Sequence, residues 1–348
     1  MKDDLFFSLT PERVLDAVEA AGLKTNPVCY PLNSFENRVY EVELADRTRI
    51  IAKFYRPGRW SEEQVREEHL FVEELAAEEV PVTPVRPFPD GSTVHRQGHI
   101  LYTLAERRGG RAPDELSDEL AMRLGMLVGR LHTVGARADA PHRLRLTPDA
   151  YLRADLAWLA AHGTVPAPLA GRYFAVAEEI ADRTDALLAR LDPAVHRLHG
   201  DLHLGNLLER DGVLHVLDFD DMVVGPAVQD VWLALPGRDT WAVRQRELFL
   251  EGYERFRAFD RATLALVEPL RALRMVHYAT WLARRWHDPV FPVTWPQFGS
   301  STWWQQEVED LEDQLRRIRR EAEPGSPPAA EEEELTNADL FWDWEEPS

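Results

Sequence analysis

Leu198-His199-Gly200-Asp201-Leu202-His203-Leu204-Gly205-Asn206, followed twelve residues later by Asp218, is the stretch that decides the fold. An aspartate five residues before an asparagine, with a second aspartate beyond a hairpin, is a spacing that sets one base and two metal ligands around a polyphosphate. Asp201 can take the proton of an attacking hydroxyl. Asn206 and Asp218 offer an amide oxygen and a carboxylate, hard donors of the kind magnesium prefers, with phosphate and water left to complete the octahedron. Between them Leu207-Leu208 open a short strand, Asp211-Gly212 make a turn, and Val213 to Leu217 run back, which returns Asp218 to the side of Asn206. Either half of the pattern alone is weak, because Asp and Asn beside a strand are ordinarily turn residues. Joined by the hairpin, the halves point to phosphoryl transfer. His199 is read as holding loop backbone, and His203 as either a surface residue or a loop contact.

That reading requires an upstream lobe with a phosphate-covering turn and a strand lysine. Pro31-Leu32-Asn33-Ser34-Phe35-Glu36-Asn37-Arg38 leads into the alternating Val39-Tyr40-Glu41-Val42-Glu43-Leu44, a turn feeding a strand. Asn, Ser and Glu stand where a phosphate loop usually has glycines, so backbone amides and the Ser34 hydroxyl must cradle the phosphates. Arg49-Ile50-Ile51-Ala52-Lys53-Phe54-Tyr55 forms the next strand and supplies Lys53. Ser61-Glu62-Glu63 starts a helix with Val65, Leu70, Phe71 and Leu75 expected on one face. Glu68, three residues after Val65 and seven before Leu75, is expected to point toward the sheet and pair with Lys53, while Glu67 reads as helix surface. His99 to Leu104 is an apolar strand running into Gly109-Gly110, and Leu101 through Glu106 is the expected hinge, where backbone groups meet adenine.

Several segments are more specific than the catalytic spacing: PLNSFENRVY at 31–40, KFYRPGRW at 53–60, EEH at 67–69, RLHGDLHLGN at 197–206, LDFDDMVVGPAVQDVW at 217–232, EPLRALRM at 268–275 and WLARRWHDPVFP at 281–292. In these the chain resembles the bacterial stress response kinases, Ser/Thr protein kinases whose fold is similar to that of aminoglycoside phosphotransferases and choline kinases. The resemblance implies an α+β, two-lobed protein-kinase-like fold, with a small β-rich N-lobe and a larger, mainly α-helical C-lobe. It also implies Asp201 as proton acceptor, Asn206 and Asp218 as magnesium ligands, Ser34 as an ATP contact, and a cytoplasmic monomer. Asp218-Phe219-Asp220 replaces the eukaryotic Asp-Phe-Gly triplet and no activation segment of that type follows, so control by activation-loop phosphorylation is not expected.

The expected division is 1–104 for the N-lobe, 105–323 for hinge and C-lobe, and 324–348 for an acidic tail. Helices are expected over 118–134 and roughly 170–191, 243–258, 261–287 and 302–321. Gly225-Pro226 reads as a turn before a helix whose Asp230 braces the catalytic loop. With 348 residues, 45% of them hydrophobic, the chain can build two cores. A formal charge of −20 argues against nucleic acid or an anionic membrane as partner. The lone cysteine, Cys29, excludes an internal disulfide; MKDDLFF at the start offers no basic region or apolar stretch for export, and no apolar run approaches ~18 residues, so neither export nor a transmembrane helix is expected. The tail holds eight acids, no base and the end Leu340-Phe341-Trp342-Asp343-Trp344, which reads as a docking motif spanning 336–346.

Three functions are compatible with these features. The favoured one is an ATP- and Mg2+-dependent Ser/Thr protein kinase. A small-molecule kinase acting on an aminoglycoside, choline or homoserine-like hydroxyl shares the same catalytic spacing. An ATP-binding scaffold without turnover is opposed by the intact set Lys53, Asp201, Asn206 and Asp218.

Overall fold

Thr10 caps helix α1 (Pro11–Ala20), its hydroxyl accepting a hydrogen bond from Arg13 N at 3.4 Å. The chain then forms β1 (Thr25–Leu32), β2 (Arg38–Leu44), β3 (Arg49–Phe54), helix α2 (Glu62–Ala77), β4 (His95–Gln97) and β5 (Ile100–Glu106). The five strands make one antiparallel sheet in the order β1-β2-β3-β5-β4. Side chains along a strand alternate between faces. Ile50, Ala52 and Phe54 of β3 are buried in one cluster with Val14, Ala17 and Val18 of α1, and the Tyr102 hydroxyl donates to Ala17 O at 3.0 Å. The opposite parity puts Val39, Lys53 and Thr103 side by side on the other face, as the register Val39↔Lys53↔Thr103 requires.

The computed structural model describes residues 6–32, 34–113 and 115–321. Internal packing divides the described residues into two units, one drawn from those within 6–115, 133–143 and 206–222, the other from those within 116–132, 144–205 and 223–321. The expected docking motif at 336–346 lies outside the described residues.

In the first unit, α2 opens with a complete capping box between Ser61 and Gln64. Its buried face is Val65, Glu68, His69, Val72 and Leu75, with Phe71 beside them. Leu70 departs from expectation and is 51% exposed. At ~100° per residue it sits about 140° around the helix from Val65, off the stripe that Glu68, His69 and Val72 continue. The hairpin of β7 (Leu207–Arg210) and β8 (Val213–Val216) pairs Leu207 with Val216, as expected. Asp211 and Gly212, at φ 52° and 77°, give the two left-handed residues that a tight hairpin turn needs.

The second unit carries the helices α3 (Asp118–Gly135, divided between the units near its end), α4 (Ala154–His162), α5 (Ala167–Leu191), α6 (Val228–Ala234), α7 (Thr240–Tyr253), α8 (Val267–Arg285), α9 (Val290–Thr294) and α10 (Ser301–Glu321). It also holds the strand pair β6 (Val195–Leu198) and β9 (Val223–Pro226). α7 starts earlier than expected because Asp239 caps it, accepting from Ala242 N at 2.7 Å. The expected helix 261–287 begins as a 3₁₀ segment, Arg261–Leu266, and becomes α-helical only at Val267. Pro269, which lacks an N–H, is tolerated in that first α-turn. Gly125 and Gly252 let α3 and α7 touch: a Cβ on either would collide with a carbonyl of the other helix, at Phe249 and Met122 respectively. No helix among the described residues is long and apolar enough to cross a membrane.

Candidate active site

The first unit contains a cavity of about 380 Å³. Val39, Ile51, Lys53, Thr103 and Ala105 of the sheet form one wall, Glu68, His69 and Val72 of α2 another, and Leu208, Val216 and Asp218 of the hairpin a third. Ser34, Asn37 and Glu106 also reach it. The cavity thus gathers Ser34, Lys53, Glu68 and Asp218, while Asn206 is placed beside it by the hairpin. Leu217 N donates to Asn206 O at 2.9 Å, which fixes Asp218 one residue beyond.

Lys53 Nζ lies 2.8 Å from Asp218 Oδ1 and is also paired with Asp220 Oδ1. Burial alone would depress the ammonium's pKa, but Asp218, Asp220 and Glu68 outweigh it and hold the group well above its ordinary value. Asp218 has φ 57°, the left-handed region that short Asp side chains tolerate better than most, and is followed by the 3₁₀ turn Phe219–Asp221. That turn swings Asp220 back inward, to 3% exposure. There Asp220 Oδ2 accepts from Asn37 Nδ2 and sits 3.7 Å from Arg59 Nη1. Asn37 Oδ1 accepts from Arg56 N at 3.2 Å, and Asn37 N donates to Ser34 Oγ at 3.3 Å. Ser34 therefore ties down its own turn as well as facing the cavity.

The expected Lys53–Glu68 ion pair is not formed among the described residues. Glu68 Oε1 accepts from the Tyr55 hydroxyl at 3.4 Å, while Oε2 is buried without a hydrogen-bond partner. Burial first, then repulsion from Asp220, lifts its carboxyl to about 8, although Lys53 and Arg143 pull the other way. The same Tyr55 hydroxyl lies 3.0 Å from His69 Nε2, and burial lowers His69 to about 3. Asp220 has taken the place at Lys53 that the sequence assigned to Glu68, because the left-handed Asp218 and the 3₁₀ turn after it direct it inward. Glu67, read as helix surface, instead accepts from His142 N, His142 Nδ1 and Arg143 N at 2.7–3.1 Å. Arg143 in turn donates to Met222 O at 2.8 Å and to Asp220 O, so α2 and the 218–222 turn are held by one loop.

The second unit holds Asp201, the aspartate expected from the sequence to take the acceptor's proton. β6 ends at Leu198, and the next two amides, His199 N and Gly200 N, both donate to Asp230 at 2.9 Å. Asp230 is fully buried and also contacts His132 Nε2 at 3.0 Å. Burial would raise its pKa, yet His132, His199 and the Gly200 amide keep it lowered. The brace expected of Asp230 is thus present. Gly200, at φ 86°, makes the bend after it. His199 Nδ1 accepts from Asp201 N at 3.2 Å, the backbone-holding role read for it, and His203 Nδ1 accepts from Gly205 N at 3.1 Å. Asp201 Oδ1 is 2.6 Å from Arg274 Nη2, and Oδ2 is 3.6 Å from His203 Nε2. Burial pushes Asp201 upward, but Arg274 and His203 win and hold it below the usual carboxylate range. Arg274 was not singled out from the sequence, and nothing local to EPLRALRM marks it as a partner of Asp201.

Comparison with known proteins now decides the family. Residues 29–267 match the phosphotransferase enzyme family, more than half of the chain. The chain belongs to that family. It is 37% identical over 317 residues to the stress response kinase A of Salmonella paratyphi A, covering 89% of this chain and 94% of the relative. The same identity and coverage relate it to a serine/threonine protein kinase, RdoA, of Salmonella typhimurium. This phosphotransferase is therefore a kinase. Among solved structures it is similar to an amicoumacin kinase in complex with AMP-PNP, Ca2+ and amicoumacin, with TM-score 0.65, 21% identity, and coverage of 88% of this chain and 93% of that one. At that identity the likeness speaks for the shared fold.

Proposed function

We propose that this phosphotransferase is an ATP- and Mg2+-dependent Ser/Thr protein kinase. The observation that carries the reading is the cavity wall on which Lys53 and Asp218 meet, with the buried Asp220 paired to the same ammonium, flanked by the apolar Val39, Ile51, Ala105, Leu208 and Val216. Apolar walls suit a purine, and a lysine between carboxylates at one end suits a polyphosphate that arrives with its metal. Lys53 would contact phosphate oxygens, the Ser34 turn would cover them and Glu68 would line the same cavity; the segment 101–106, expected to be a hinge, is the sheet strand β5 with its backbone paired to β3 and β4, so only its end at Ala105 and Glu106 would stand beside the base.

Asn206 and Asp218 fit a hard cation. Among the described residues no three His, Cys, Asp or Glu side chains form a cage of their own, but two oxygen donors suffice when phosphate supplies the others. Asp218, half exposed in the cavity, has a carboxylate oxygen available to such an ion. Bound there, Mg2+ would neutralise the charge that develops on the phosphate oxygens. Asp201 would accept the acceptor's hydroxyl proton as the acceptor oxygen bonds to the γ-phosphorus. The bond from that phosphorus to the bridging oxygen breaks and ADP leaves. Pairing with Arg274 and His203 keeps Asp201 ionised and aligned, as the proton acceptor must be. The protein acceptor, rather than a small molecule, is supported by the names of relatives that match nearly the whole chain.

The test is incubation of the purified chain with γ-labelled ATP, Mg2+ and either a protein extract or a pool of amino alcohols and aminoglycosides. Label on Ser or Thr of protein, absent with Asp201→Asn, supports the proposal. Label on small molecules alone refutes it in favour of a metabolite kinase.

A further inference from the structure

α8 turns one stripe of side chains outward. Arg274, His277, Tyr278, Trp281, Arg284 and Arg285 are, with Ala283, the helix residues from 274 onward that keep partial or full exposure. Their steps of three, one, three, three and one residues place them along a single face. Every ionisable side chain on that face apart from the tyrosine is basic, in a chain whose formal charge is −20. The one carboxylate of α8, Glu268, is buried near the other end of the helix with Arg238 at 2.9 Å.

The stripe begins at the catalytic loop, where Arg274 Nη2 meets Asp201. Farther along, Tyr278 stacks on Trp281 with ring centroids 5.7 Å apart, and the Arg285 guanidinium lies 5.1 Å from the centre of the Trp281 ring. His277 Nδ1 and Arg284 Nη2 share the buried Asp155 at 2.7 and 2.9 Å, and Arg284 also lies over Trp158 at 5.3 Å. Asp155 and Asp201 meet the stripe from neighbouring elements, and Glu307 of α10 faces Tyr278. An ammonium-bearing acceptor offering its hydroxyl to Asp201 would therefore arrive against the Arg274 guanidinium. A carboxylate-bearing acceptor would meet planar donor forks and flat aromatic surface.

We propose that this face of α8 is the acceptor track, and that it selects a Ser or Thr hydroxyl carried on an acidic peptide segment while disfavouring amine-bearing acceptors. The inference rests on the reading of the chain as a protein kinase with Asp201 as proton acceptor, and it adds the charge class of the substrate. Arg274 is a specificity residue in this scheme, and Arg284 and Arg285 extend the selection away from the reacting hydroxyl.

The test uses the full chain with ATP, Mg2+ and three Ser/Thr peptides of equal length that carry acidic, neutral or basic flanks, with ethanolamine and an aminoglycoside alongside. The acidic peptide is expected to show kcat/KM about tenfold or more above the others, mostly through KM. That advantage should shrink as NaCl is raised from about 0.05 M to about 0.5 M. Arg284→Glu combined with Arg285→Glu should move the preference to the basic peptide; if that variant does not fold, the salt dependence of the wild type decides alone. Peptides phosphorylated without regard to flanking charge, or with the basic one preferred, overturn the inference and leave the kinase reading standing. Phosphorylation of the amines alone removes the protein-kinase reading and the inference with it. A tenfold fall in KM for the acidic peptide on removing residues 324–348 would give the track to the chain's own acidic tail, and would also overturn it.

Discussion

Glu68 in the first unit is a buried carboxylate and Asp201 in the second a partly buried one, and they end on opposite sides of neutrality. Glu68 has a phenol at 3.4 Å and no ion pair among the described residues, and burial, with Asp220 nearby, lifts its carboxyl to about 8. Asp201 has Arg274 at 2.6 Å and His203 at 3.6 Å, and is held below the usual range. Burial acts in the same direction on both; the identity of the contacting partner sets the sign. The proposed base must be ionised when the acceptor arrives, and the pairing of Asp201 with Arg274 and His203 would provide that. A protonated glutamate beside Lys53 is suited to a different task, because it leaves the ammonium to Asp218 and Asp220, and hence to the end of the cavity proposed to hold the phosphates.

The contrast can be broken in order of effect. Asp218→Ala removes both a proposed metal ligand and one of the two carboxylates on Lys53. It is expected to abolish phosphotransfer and to erase the difference in nucleotide affinity with and without Mg2+, read by calorimetry. Wild-type affinity that does not depend on Mg2+ would contradict the assignment. Next in size is the coupling at Lys53. Double-mutant cycles should give Lys53 and Asp220 an interaction energy of ~1–3 kcal/mol in stability, and Lys53 and Glu68 a clearly smaller one. Strong coupling to Glu68 would restore the pairing expected from sequence and count against the arrangement seen here.

The smaller effect is the pH dependence of stability. The folded pKa of Glu68, about 8, lies above its ordinary value of 4.5. The folded state therefore keeps this proton through the window between the two values. The stability it contributes is complete below about pH 4.5 and is lost as pH rises to about 8, with a slope of at most ~1.4 kcal/mol per pH unit. Glu68→Gln should unfold in urea with a flatter profile over that window than wild type. Parallel profiles would mean that Glu68 is ionised in the folded protein.

Much of this was legible in local sequence. The hairpin returning Asp218 toward Asn206 follows from Asp211-Gly212 between two short apolar runs, and the orientation of Lys53 follows from strand parity with Ile51. The Asp230 brace was also visible, as an acid in the first turn of the helix after Gly225-Pro226. What escaped depends on backbone states and distant pairings that no local pattern encodes. Asp220 was in view within Asp218-Phe219-Asp220, but its approach to Lys53 depends on the left-handed conformation of Asp218. Arg274 reaches Asp201 across 73 positions of sequence. Glu67 is held by a loop 75 positions away, and Leu70 was misplaced because apolar character was counted where helical angle decides.

The most direct test of the account is single-turnover phosphotransfer by wild type and Asp201→Asn, with ATP affinity measured on the same preparations. The substitution keeps the shape of the side chain and removes the proton acceptor. Nucleotide affinity is expected to stay within about threefold while the rate of transfer falls by ~10²–10⁴. A rate within tenfold of wild type at unchanged affinity would contradict the claim that Asp201 is the base of a phosphoryl-transfer site.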